Sequence, residues 1–109
     1  MIRPVYDTMS TLFEYAEDRI SVAELESFAG LTEHAVDEAR RLSDVCEGIA
    51  CTVSSDAQGD IRSGSFEGAD GVYTLLCALS HSFDTLAAMA HVGNQAAASL
   101  HRRRMEGRS

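Results

Sequence analysis

Apolar side chains recur along most of this chain at steps of three and four, the spacing of a helix face rather than the alternation of a strand. Met9, Leu12, Phe13, Ala16 and Ile20 form the first such set. They predict a helix from about Asp7 to Arg19, with Asp7, Thr8 or Ser10 as candidate caps. A short second helix is announced by Ser21 with Glu24 three residues later. At that spacing each side chain reaches a free backbone amide of the other's turn. Gly30 is expected just past its end, the position where helices commonly stop.

Two longer patterns follow, over 32–54 and 70–104. The first carries Ala35, Ala39, Leu42, Cys46, Ile49 and Val53, a seam of period 3.5, with Val36, Ser43 and Ala50 beside it. Arg40 and Arg41 stand near Asp44 as candidate local ion pairs on its outer face. The second opens at Asp70, a good capping residue, and repeats the period through Val72, Leu76, Leu79, Phe83, Leu86, Ala90, Gly93, Ala97 and Leu100. Gly93 and Asn94 are weak helix formers and mark a candidate kink. Arg102, Arg103 and Arg104 then suit the negative end of the helix dipole. Between the two patterns, glycine, serine and aspartate dominate and predict a loop over 55–69.

Aligned antiparallel from that loop, the seams pair Val53 with Val72, Ile49 with Leu76, Cys46 with Leu79 and Leu42 with Phe83. Ala39 then meets Leu86, and Ala35 meets Ala90. Each buried large side chain contributes roughly 1.5–3 kcal/mol. Ordering costs about 1–2 kcal/mol per residue, so two helices alone do not balance. Leu75, Ala78, Ala87, Met89 and Val92 also need cover that the hairpin does not give. The expected fold is therefore all-α. A single domain, 1–109, has N-terminal helices within 1–30 and an antiparallel helical hairpin of two long helices, completed as a dimeric helical bundle.

Charge sharpens this picture. Residues 1–70 hold 15 acids and 5 arginines, and residues 71–109 hold 2 acids and 4 arginines, so a net −8 is concentrated in the first part. Such a surface repels nucleic acid and anionic membrane. A helix-turn-helix resemblance over Ala23–Arg41 fails, because Glu33, Asp37 and Glu38 would face DNA phosphates. Three cysteines in such a chain suit reduced thiols and a cytoplasmic location. Residues 1–20 lack a signal-peptide pattern, and the run Val72–Val92 is broken by Asp84 and two histidines, so no membrane span is expected.

Candidate chemistry is sparse. Cys77 and His81 stand at i and i+4, half of a metal site with only Cys46 near to extend it. Cys46 in the seam is better suited to act as a small hydrophobe, and with Cys77 it would oxidise only within disulfide reach. Ser80, His81, Ser82 and Asp84 are neighbours on one helix and cannot line up as nucleophile, base and orienter. His91 and His101 are expected to be exposed. No enzyme activity, cofactor or metal is expected.

The stretch Phe28-Ala29-Gly30-Leu31, with Ala35-Val36-Asp37-Glu38-Ala39, Leu42 and Cys46, resembles the short helical-hairpin proteins of pseudomonads over about residues 28–92. Size, acidity and layout are similar to those of a small helical quorum-sensing antiactivator of that group. That resemblance implies a dimer that binds a LuxR-type transcription regulator and blocks its dimerisation. The segment 54–70 and the basic tail depart from it. The expected function is thus a non-enzymatic regulator that binds a protein partner. Its contacts are drawn from Leu12, Phe13, Tyr15, Leu75, Phe83, Met89, Val92 and Leu100. The alternative is an acidic DNA mimic acting through Glu14, Glu17, Asp18, Glu24, Glu26, Glu33, Asp37 and Glu38.

Overall fold

The computed structural model describes residues 3–58 and 69–107. Among them the fold is helical throughout, with no strand: α1 (Pro4–Ala16), a 3-10 turn (Glu17–Arg19), α2 (Val22–Ala29), α3 (Leu31–Gln58) and α4 (Ala69–Glu106). The long C-terminal helix packs against all the others. The expected loop shrinks from both sides, since α3 continues to Gln58 and α4 begins at Ala69; residues 59–68 lie outside the described residues. Asp70's side chain, and so its expected capping role, lies outside them as well.

α1 begins earlier than its apolar pattern predicts, because Pro4 occupies the first turn, where a missing amide costs nothing. No local side chain caps it. Asp84 of α4 does so instead, its carboxylate accepting the backbone amides of Val5 at 3.0 Å and Tyr6 at 3.1 Å. Asp7, Thr8 and Ser10 are therefore not the caps. Ser21 and Glu24 form the predicted reciprocal box at the start of α2. Gly30 differs from expectation: its φ of −65° is right-handed, and α3 starts at the next residue, so α2 and α3 meet at a bend without a left-handed stop. Arg41 pairs with Glu38 rather than with Asp44.

The core lies at the C-terminal end of α4. Phe13, Ile20, Leu25, Val92, Ala96 and Leu100 are buried together, with Ala16, Val22, Phe28, Ala29 and Leu31 packed around them. α4's contribution is a row of near-regular fours, Asp84, Ala88, Val92, Ala96, Leu100 and then Arg103. Small residues at 88 and 96 let α1 and α2 approach closely. The 3.5-period seam is a different row, displaced by roughly 100° from Phe83 to Asp84. Of that seam the chain buries only Gly93 and Leu100. Val72, Leu76 and Phe83 are exposed by 38, 59 and 53%.

α3 meets α4 first where Thr32 lies against Gly93 and Asn94. Farther along α3, Glu38 and Leu42 share a crevice with His81, Ser82, Thr85, Leu86 and Met89. Gly93 is thus a seat for a neighbouring backbone, and α4 runs through it as one helix of 38 residues. The resulting body measures 67 × 23 × 16 Å with a radius of gyration of 19.3 Å. A compact chain of this length would have a radius near ~13 Å.

Candidate interaction surface

The end of α4 is fixed by its three arginines. Arg102 pairs with Glu17 and donates to Ser99 Oγ at 3.0 Å, while Ser99 also donates to Glu17. Arg103 is buried and donates to the backbone carbonyls of Ile20 and of Glu17, the latter also accepting the Ile20 amide at 3.4 Å. Arg104 reaches Glu26 of α2 at 2.9 Å. The basic tail is therefore a clasp on the 3-10 turn, on Ile20 just past it and on α2. In the first turn of α1, Tyr6 Oη and His91 Nδ1 lie 3.1 Å apart with tilted rings, so His91 is a partly buried contact and not the exposed residue expected.

The hydrogen bond from Ser99 holds the Glu17 carboxyl below its ordinary value of 4.5; partial burial opposes this, and Arg102 and Arg103 add to it. A lowered folded value means the clasp stabilises the fold above pH 4.5 and loses that contribution as pH falls through the folded value. Glu17→Gln should flatten this acid limb of the stability–pH curve, measured by denaturant midpoints between about pH 3 and 6. An unchanged acid limb would show that Glu17 is not a source of it.

With the first and last helices locked in this way, the open surface lies toward the other end of α4. A groove of about 670 Å³ begins at Arg3 and Pro4, where α1 starts, and continues along Leu76, Cys77, Leu79, Ser80, His81, Phe83, Asp84 and Ala87. A second crevice, about 210 Å³, is bounded by Met9, Leu12, Phe13, Ala16, Ile20, Phe28, Leu31 and Val92. Its lining is wholly apolar side chains. Tyr15, 83% exposed, stands on α1 outside it.

The eight residues expected to contact a partner divide accordingly. Phe13, Val92 and Leu100 are core residues, each under 10% exposed, and offer nothing to a partner in this fold. They were selected for size and spacing, which do not distinguish the α4 row facing α1 and α2 from the row beside it. Leu75 and Met89 are half-buried, Met89 in the crevice with α3. Leu12 and Tyr15 are exposed on α1, and Phe83 is exposed in the groove. The structure adds Leu76 and Val72 to Phe83, and Met9 to Leu12. All three had appeared in apolar patterns, but only as core.

Ser80 and His81 line the groove, Ser82 faces α3, and Asp84 is engaged by the start of α1. Ser80, His81 and Asp84 therefore share one groove, while Ser82 lies in the crevice with α3. Cys77 is an exposed free thiol beside His81, and no group of three or more His, Cys, Asp or Glu is placed to hold a metal among the described residues. One expectation is corrected. Within α4, the stretch Gly71–Glu106 is long and apolar enough to cross a membrane by length and composition. Asp84 and the histidines are too few to lower its average, although a soluble core helix passes the same test. The chain matches no known family, curated protein or solved structure.

Proposed function

We propose that this chain is a cytoplasmic, non-enzymatic regulatory protein that binds another protein, and that it works as a dimer whose α3 and α4 continue as an antiparallel hairpin beyond the Thr32–Gly93 contact. The observation that carries the reading is the exposed apolar row Val72, Leu76 and Phe83 on a body 67 Å long. Exposed apolar surface of this continuity marks contact sites in proteins that remain soluble. A second strip, Met9, Leu12 and Tyr15 on α1, is available to a different partner. The resemblance to quorum-sensing antiactivators makes a LuxR-type transcription regulator the partner class, with binding displacing the regulator's own dimer contact.

Mixing the purified full chain with a purified LuxR-type regulator tests this. A complex that lacks regulator dimer, and that Leu12→Glu and Tyr15→Glu weaken about tenfold or more, is the expected result. Regulator dimers unaffected by excess chain would reject that partner class. Raising salt distinguishes the acidic DNA-mimic alternative. An apolar contact changes little between about 0.1 and 0.5 M, whereas a mimic loses affinity steeply.

A further inference from the structure

We infer that the α4 row of Val72, Leu76, Leu79 and Phe83 is covered by the same row of a second copy of this chain. This rests on the self-association proposed above and deepens it by placing the second copy.

Three independent quantities select that occupant. The first is area. The chain exposes 7718 Å² at a mass of 11.8 kDa. A compact folded chain of that mass exposes about 5,900 Å². The excess, roughly 1,800 Å² per copy spread over the elongated body, leaves room for an interface of the size that a permanent dimer needs. Permanent homodimers bury about 2,000–5,000 Å², whereas transient encounters bury under about 1,200 Å².

The second is period. α4 turns a row of fours toward its own α1 and α2, yet from Val72 to Phe83 it also carries heptad steps of four, three and four that leave Val72, Leu76 and Phe83 exposed. A 3.5 repeat meshes with another helix of the same repeat at a shallow crossing angle. A second copy supplies that helix by construction, and a two-fold axis makes one row complementary to itself.

The third is charge. Each copy carries −8, so two copies approach only where acids are absent. Of the 17 acids, residues 71–109 hold two, Asp84 and Glu106. Asp84 is turned inward onto the amides of α1. The row is thus the place where like chains meet without like charges. A basic partner would be drawn instead to the acidic helices α1–α3.

Analytical ultracentrifugation of the full chain from about 1 to 100 μM tests the placement. The wild type should sediment at twice 11.8 kDa. Leu76→Glu and Phe83→Glu should each raise the dimer dissociation constant about 100-fold or more, while Leu12→Glu leaves it unchanged. Both row positions are exposed within one copy, so a retained far-UV helical signal shows that the fold survives. A wild-type chain of single mass throughout would overturn the inference, and regulator binding through α1 would still be measurable. A dimer that resists both row substitutions but fails with Leu12→Glu would overturn the placement and keep self-association.

Discussion

Gly93→Ala lowers the stability of the fold by about 2 kcal/mol, although alanine is the better helix former by roughly 1 kcal/mol. A Cβ at position 93 would lie 2.7 Å from the backbone nitrogen of Thr32 and 3.3 Å from its Cα, with Thr32 Oγ1 closer still. Trimming a side chain relieves only part of that conflict; the first turn of α3 must itself move off α4. Gly93→Ala combined with Thr32→Ala should therefore recover less than half of the loss. Gly48, in the exposed part of α3, meets nothing within 4 Å, and Gly48→Ala should stabilise by about 1 kcal/mol in the same urea titrations. Equal effects at 48 and 93 would mean that α3 does not rest on α4 at this point.

Arg103→Met should cost about 2–3 kcal/mol, read as a fall in denaturant midpoint at constant slope. Methionine keeps the length and the apolar stem, so packing is nearly preserved. What is lost is a buried guanidinium that satisfies the carbonyls of Ile20 and Glu17 and lies beside the Glu17 carboxylate. Arg104→Met removes a pair whose side chains are 60 and 54% exposed, so it should cost under about 1 kcal/mol. Comparable losses at 103 and 104 would show that the clasp acts through general charge rather than through the turn carbonyls.

What could be read from the sequence was local. The Ser21–Glu24 box involves residues three apart, and it forms as predicted. The helical character of each segment follows from its period, and no strand interrupts it among the described residues. Long-range polar relations were not legible. Asp84 looked like part of a polar flank, yet its partners are amides 78 and 79 residues away. The arginines suggested a dipole interaction at one helix end, while they actually close on Glu17, Ile20 and Glu26. Which α4 row faces inward was also hidden. Large residues mark the 3.5 seam, but the tight contacts with α1 and α2 use Ala88 and Ala96, whose importance lies in their smallness. For the candidate surface the outcome is mixed. Leu12, Tyr15 and Phe83 are exposed as a partner contact requires, and Phe13, Val92 and Leu100 are core because they lie on the row that α1 and α2 cover.

The cap on α1 has a consequence for synthesis. Val5 and Tyr6 leave the ribosome long before Asp84 is made, so the first helix is born without the carboxylate that closes its leading turn. A 13-residue helix is marginal alone in water. Its docking must await α4, whose Val92, Ala96 and Leu100 supply the floor beneath Phe13. Until then Met9, Leu12 and Phe13 travel in an uncommitted segment, a period in which a chaperone can hold them.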